Sequence, residues 1–124
     1  MELRRTHLRY LLAIYELGRT QANVGIVNIS KALGCSKASV TAMASSLMEM
    51  GLLVRERYGK IYLTDTGFLM ARELSHCVGE IRQRLPAMGL ALSEEDAGAL
   101  AQTIALNLPE DSRRQLSGRQ AVGQ

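Results

Sequence analysis

Hydroxyl-bearing and basic side chains are concentrated between positions 36 and 60 of the chain. The group comprises Ser36, Lys37, Ser39, Thr41, Ser45, Arg55, Arg57, Tyr58 and Lys60. Hydroxyls exchange hydrogen bonds and Lys or Arg pair with anions, so this combination suits contacts with the phosphates and base edges of a nucleic acid. The alternative is that the Ser and Thr residues only cap a helix and that the basic residues are solvated on strands.

Charge is distributed unevenly between the two halves of the chain. Residues 1–60 hold nine Lys or Arg and four acids, which gives +5, whereas residues 61–124 hold six and eight, which gives −2. A basic front half is typical of a surface that binds phosphates, although solvated charge also serves solubility.

The elements that position these residues follow from the hydrophobic spacing. Leu8, Leu11, Leu12 and Tyr15 predict a first helix over roughly residues 4–17, ended by Gly18. The segment IVNISKALG predicts a very short second helix, and Ser36 is a suitable N-cap for a third one that continues to about residue 50. A short helix, a turn and a longer helix form a helix-turn-helix, and the small outward residues of the third helix suit the major groove of DNA.

The hydrophobic period changes after the third helix. LLVRERY alternates, Gly59-Lys60 is a turn signal and IYL follows, so we expect a hairpin of two short strands. This hairpin would be the basic wing of a winged helix-turn-helix.

Helical spacing returns after the hairpin. A fourth helix is predicted from about Asp65 to Leu85, capped by Thr64 or Asp65, and Ser93 caps a fifth that reaches Pro109. The predicted fold class is mainly α with a small β-hairpin. Residues 1–66 are expected to form the winged helix-turn-helix domain, residues 67–117 a helical region and residues 118–124 a flexible tail.

Several classes of protein are excluded by composition and motifs. Cys35 and Cys77 form no C-x-x-C pair, which argues against a zinc knuckle or a disulfide scaffold and favours a reducing, cytoplasmic location. No run approaches the ~20 apolar residues of a membrane span. The chain has no nucleophile motif and no Gly-rich phosphate loop, so we expect that it is not an enzyme.

A family resemblance is carried by YLLAIYELG, VNISKALGCSKASVTAMASSLMEMGLLVRERYGKIYLTDTG and FLMARELSH. These segments resemble the metal-dependent repressors of the diphtheria toxin repressor family, in particular its short manganese-sensing branch. The resemblance covers roughly residues 7–85 and weakens over 86–108. It implies a homodimer in which the third helix of each subunit enters the major groove of double-stranded DNA and the C-terminal helices form the interface. It also implies metal-triggered binding to operators upstream of metal-uptake genes.

The ligands implied by this resemblance are present only in part. Arg9 and Leu12 stand where the first helix of the family brings metal ligands, and Gly98, Ala101 and Gln102 stand where a later helix does. The primary metal site is therefore expected to be lost, and the charge of Arg9 would oppose a divalent cation.

A second set of family ligand positions keeps suitable side chains, namely His76, Glu80 and Glu94. His76 and Glu80 are four residues apart on one helix and share a face, as does Glu73. Imidazole with carboxylates suits manganese, iron or zinc. The alternative is that Glu80 pairs with Arg84, that His76 is an exposed polar residue and that Glu94 is an acid at a helix start.

These observations together predict a dimeric DNA-binding transcriptional regulator, in the role of a repressor, that has lost the primary metal switch of its family. The alternative is a winged-helix module for protein interaction or dimerisation without sequence-specific DNA binding. The two differ in salt dependence, because phosphate contacts release counterions when a protein binds DNA.

Overall fold

The computed structural model describes residues 2–57 and 59–118. Over these residues the chain forms six α-helices, one 3-10 helix and one antiparallel hairpin, so the predicted fold class is confirmed. The elements in chain order are α1 (Arg5–Thr20), α2 (Ile26–Leu33), α3 (Lys37–Glu49), β1 (Leu53–Arg55), β2 (Ile61–Leu63), α4 (Asp65–Arg84), the 3-10 helix (Leu85–Met88), α5 (Glu94–Asn107) and α6 (Glu110–Leu116).

The chain divides into two compact units, Met1–Arg72 and Glu73–Gln124. The division lies within α4, after the boundary at residue 66 that the sequence suggests. None of the helices in the described ranges is both long enough and apolar enough to cross a membrane.

The core of the first unit lies between α1, α2 and α3. Leu11, Ile29, Val40 and Leu47 are its most deeply buried large side chains, each less than 2% exposed. These residues come from the apolar stripes that the sequence spacing predicts, because each amphipathic helix buries one face. Burial of Val40, Ala44 and Leu47 fixes which side of α3 remains outside.

A buried histidine joins α1 to α3. His7 Nδ1 accepts a hydrogen bond of 2.9 Å from the backbone N–H of Arg4, and His7 Nε2 lies 3.1 Å from Ser46 Oγ. Both ring nitrogens therefore have partners, which is the condition for burying a polar ring at low cost.

Helix ends follow the predicted signals with one exception. Gly34 adopts a left-handed conformation at the end of α2, and Ser36 caps α3 by accepting a hydrogen bond of 3.1 Å from the backbone N–H of Ser39. Thr64 is the cap of α4, since its Oγ1 accepts from the Gly67 N–H at 3.1 Å. The prediction that Gly18 ends the first helix is wrong: α1 continues through it to Thr20.

The hairpin has the register Leu53↔Leu63, Val54↔Tyr62 and Arg55↔Ile61. Its backbone is attached to the loop between α1 and α2, because the N–H of Ile61 donates to the carbonyl oxygen of Val24 at 2.8 Å. Gly59, with φ of 88°, allows the chain to reverse between the strands.

The second unit has a small core of its own. Cys77, Ile81, Leu85, Ala101 and Ala105 form it, with partly buried apolar side chains from α4, α5 and α6 around them. Two of its five buried members are alanines, so a limited apolar area stabilises this unit. Met88, Leu90, Leu92 and Leu100 remain exposed on the same unit.

Candidate nucleic-acid interface

The outer face of α3 carries the predicted contact residues. Ser36, Lys37, Ser39, Thr41 and Ser45 are all exposed. The exposed residues between them, Ala38 and Ala42, have the smallest side chains after glycine. A face of this width lets the helix backbone approach the base edges of a major groove closely.

Several of these hydroxyls already have intramolecular partners. Ser36 Oγ donates to Ser39 Oγ at 2.9 Å, and Thr41 Oγ1 donates to the carbonyl oxygen of Lys37 at 2.9 Å. A hydroxyl has one donor and two acceptor lone pairs, whereas a phosphate oxygen only accepts. In this rotamer Thr41 can therefore accept a bond from a base amino group, and it must turn to contact a phosphate. Helix capping and nucleic-acid contact are thus compatible uses of the same residues.

Lys37 is the cation of this helix face. It occupies the first position of α3 and is exposed, and within residues 2–57 and 59–118 its ammonium belongs to no ion pair. The backbone N–H groups at the N-terminus of α3 lie beside it, so positive charge and helix dipole act on the same side.

The hairpin adds further cations. Arg55 and Arg57 are exposed, and Lys60 is partly buried with its Nζ 4.8 Å from the centre of the Tyr62 ring. A hydrogen bond with the Tyr62 side chain raises the pKa of Lys60, so the ammonium stays charged. Tyr58, which the sequence also suggests as a contact residue, lies outside the described residues.

The residues that the sequence suggests as metal ligands are only partly brought together. His76 Nε2 lies 4.0 Å from Glu80 Oε1 on α4. Glu80 is also paired with Arg84, and this hydrogen bond holds the pKa of the Glu80 carboxyl below its ordinary value. Glu94, at the start of α5, is paired instead with Arg82, with Oε2 2.5 Å from the guanidinium Nη2.

In the part of the chain that the structure describes, His76, Glu80 and Glu94 do not come together as a metal centre. Nowhere in the described ranges do three His, Cys, Asp or Glu side chains group closely enough to hold an ion. At two positions where the resemblance implies metal ligands, Leu12 is 2% exposed and Ala101 is fully buried in a hydrophobic core. Glu80 and Glu94 each have an arginine where a metal would have to bind, and a guanidinium is always charged and repels a divalent cation.

Sequence reasoning missed Arg82. The Arg82–Glu94 pair joins α4 to α5 over twelve positions of the chain, and the Arg82 guanidinium lies 3.8 Å from the place where Gly98 would carry a β-carbon. No local spacing rule signals such a pair, whereas Glu80 and Arg84 have the helical i, i+4 spacing that predicts theirs.

Comparison with known proteins finds a family match within the first unit. Residues 2–61 match the family described as iron dependent repressor, N-terminal DNA binding domain. This agrees with the resemblance inferred from the sequence. Because the family is one of transcriptional regulators, the expectation that the chain is not an enzyme is also confirmed.

Solved structures share the fold at low sequence identity. The hypothetical protein SSo2273 from Sulfolobus solfataricus has a TM-score of 0.65 at 22% identity, over 97% of this chain and 91% of that one. The metal-dependent transcriptional regulator MtsR has a TM-score of 0.75 at 16% identity, over 93% of this chain and 53% of that one. The manganese regulator SloR has a TM-score of 0.72 at 19% identity, over 98% and 55%. The chain thus spans about half the length of these two regulators. No functionally curated protein matches it.

Proposed function

Since residues 2–61 match the family described as iron dependent repressor, N-terminal DNA binding domain, we propose that this protein is a transcriptional regulator that binds double-stranded operator DNA as a homodimer. The observation that carries the proposal is the exposed face of α3, which combines small residues, hydroxyls and Lys37 beside the cationic hairpin. Repression is the proposed role, because a bound dimer covers its operator. The cytoplasm is the proposed location, because the operator lies on chromosomal DNA.

The proposed complex divides the contacts between two elements. The N-terminal half of α3 lies in the major groove, where Ser39, Thr41 and Ser45 face base edges and Lys37 neutralises a phosphate. The hairpin lies against the adjacent backbone, where Arg55, Arg57 and Lys60 add charge-assisted contacts. Base contacts then supply specificity, and phosphate contacts supply most of the salt-dependent affinity.

Dimerisation is proposed to use the second unit. Its small core and its exposed Met88, Leu90, Leu92 and Leu100 leave apolar surface that a second copy can bury. A two-fold dimer presents two copies of α3 to half-sites about one helical turn of DNA apart, which predicts a palindromic operator.

We propose that DNA binding by this protein needs no divalent metal. Arg82 and Arg84 neutralise Glu94 and Glu80 within the second unit, so these carboxylates do not need a cation to offset their charge. Leu12 and Ala101 are packed in hydrophobic cores and contribute no ligand atom. The two arginines thus supply at all times the positive charge that a metal ion would supply only when bound.

The test is selection of duplexes from a pool with a randomised centre, followed by fluorescence anisotropy on the recovered duplex. Titrations run over a salt series, with EDTA in one arm and manganese chloride in the other. We expect affinity to fall steeply with salt, with a log–log slope of about −0.9 per phosphate neutralised, and to be the same in both arms. Loss of binding in EDTA would contradict metal independence. Failure to retain any duplex at low salt would favour the protein-interaction module instead.

A further inference from the structure

The first unit contains a cavity that the proposed DNA contacts do not use. It has a volume of about 400 Å³ and opens between α1, the loop that follows it, β2 and the first turn of α4. Its walls include Ile14, Tyr15, Ile61, Tyr62, Leu63 and Phe68, and none of its lining residues comes from α3. Sites for small organic molecules are concave, mostly apolar and of roughly 300–1,000 Å³, so this cavity is of suitable size and character.

Aromatic side chains are concentrated at this cavity. The chain has four Tyr and one Phe, and Tyr15, Tyr62 and Phe68 line it. The rings of Tyr15 and Phe68 have centroids 5.5 Å apart and are tilted by 54°, while Phe68 remains 43% exposed and Tyr62 38% exposed. Three partly solvated rings around one space offer stacking and edge contacts to a planar apolar group.

Gly18 marks the wall on the side of α1. It lies inside the helix, where glycine costs about 1 kcal/mol relative to alanine. A β-carbon at this position would meet no atom within 4 Å, so packing within the first unit does not demand a glycine. The missing side chain instead leaves the cavity open beside Tyr15 and Arg19.

The charge at the cavity is positive. Among the described residues that line the space, Arg19 is the one with an ionisable charge at neutral pH, and none carries a carboxylate. Its guanidinium lies 5.9 Å from the centre of the Tyr15 ring, and its pair with Glu16, at 3.6 Å between two exposed side chains, is too weak to hold it. A ligand carboxylate could therefore replace Glu16 as the partner of Arg19 and form a two-pronged hydrogen bond.

We propose that this cavity binds a small organic anion with a planar aromatic body and a single carboxylate. The aromatic body lies against Tyr15, Tyr62 and Phe68, and the carboxylate pairs with Arg19. The bound ligand also contacts β2, where the Tyr62 ring carries the ammonium of Lys60 at 4.8 Å. Binding therefore changes the position of the hairpin cations and with it the affinity for duplex DNA; this last step rests on the proposed function, whereas ligand binding itself does not.

The experiment uses naphthalene-2-carboxylate and its uncharged counterpart naphthalene-2-carboxamide as probes, followed by calorimetry and by amide chemical shifts of the whole chain. We expect the carboxylate to bind about tenfold more tightly than the amide, because one charge-assisted pair distinguishes them. Shift changes should be centred on residues 14–24 and 61–68. Absence of binding by both probes, or shifts centred elsewhere, overturns the proposal.

Two variants and a matched control sharpen the experiment. Gly18→Leu fills the cavity and should lower affinity for both probes at least about tenfold, whereas Gly79→Leu makes the same change in α4, also with no atom within 4 Å, and should leave affinity unchanged. Arg19→Gln should erase the difference between carboxylate and amide. Wild-type affinity in Gly18→Leu, or an undiminished preference for the carboxylate in Arg19→Gln, contradicts the assignment; the second variant decides the matter if the first does not fold.

Failure of the ligand site and failure of the proposed function can be told apart. Duplex affinity is measured without probe, so absence of duplex binding refutes the DNA-binding function while the probe titration still stands. Probe binding that leaves duplex affinity unchanged refutes the coupling to the hairpin and leaves the cavity as a ligand site.

Discussion

Gly67, in the first turn of α4, packs so closely on Leu52 that a β-carbon at residue 67 would lie 2.1 Å from the Leu52 carbonyl oxygen. The same carbonyl accepts a hydrogen bond of 3.1 Å from the N–H of Thr64, and the N–H of Leu52 donates to the carbonyl oxygen of Leu47 at 3.0 Å. The end of α3, the entrance to the hairpin and the start of α4 are therefore joined through the backbone at one point. The position of the hairpin relative to α3 depends on this glycine.

Replacement of Gly67 by alanine should destabilise the protein. The backbone of Leu52 has to move to admit the methyl group, at a cost of about 1–3 kcal/mol. Gly79→Ala is the control, because this helical glycine has open space around it and should gain up to about 1 kcal/mol. Urea unfolding followed by circular dichroism measures both. Equal stability of the two variants would show that the close approach at Leu52 does not constrain the chain.

Lys37→Ala should weaken duplex binding and make it less sensitive to salt. If the ammonium neutralises one phosphate, the log–log salt slope becomes shallower by about 0.9. Arg114→Gln removes the same charge from α6 in the second unit, outside the proposed contact elements, and should leave the slope unchanged. Parallel anisotropy titrations over a salt series compare them. The same slope change in both variants would mean that only net charge matters and that α3 is not the contact element.

Stability at acid pH should depend on Glu80. Its pKa in the folded chain is below the ordinary value of 4.5, first because of the hydrogen bond from Arg84 and further because of charge attraction. A lowered folded pKa contributes stability that is present above pH 4.5 and is lost as the pH falls through the folded pKa. Glu80→Gln should therefore be less stable than the wild type near neutral pH and equal to it in strong acid.

Urea unfolding at about pH 7 and about pH 3 measures that difference. Arg84→Gln removes the partner and should show the same convergence with the wild type, and the double variant should cost no more than either single change. A gap between wild type and Glu80→Gln that is constant with pH would contradict the role of the ion pair.

Met88→Glu should disrupt dimerisation. Met88 is 71% exposed in the second unit, and a carboxylate there has to be desolvated on burial in an apolar interface. Sedimentation should give the wild type twice the chain mass of 13.6 kDa and the variant a single chain mass. Val27→Glu places the same charge at an exposed apolar site in the first unit and should remain dimeric. A monomeric wild type would refute the proposed interface outright.

Local features of the fold can be predicted from the sequence. Ser36 as the cap of α3, Gly34 at the end of α2 and the reversal at Gly59 depend on residues no more than a few positions apart. The Glu80–Arg84 pair belongs to the same group, because i, i+4 spacing alone brings the side chains together. Gly18 shows the limit of such reasoning: glycine is only a weak helix breaker, and the N–H of Gln21 still bonds to Leu17 at 2.9 Å.

The candidate sites are harder to predict from the sequence where they depend on contacts between residues far apart in the chain. Glu94 fits a ligand position by sequence, but Arg82 approaches it from another helix. The cavity is lined by two helices, a loop and a strand, and no single segment of the sequence contains its whole lining. Hydrophobic spacing tells which face of each element turns inward, and it does not tell where neighbouring elements leave space between them.

The buried ring of His7 has a consequence for observing this protein in solution. Because Nδ1 accepts the N–H of Arg4, the proton of the neutral imidazole lies on Nε2 and points toward Ser46 Oγ, in a place shielded from water. We expect this ring proton to exchange slowly enough to give its own magnetic resonance signal. His7 would then report on the contact between α1 and α3 and reveal any loosening of α3 without a label.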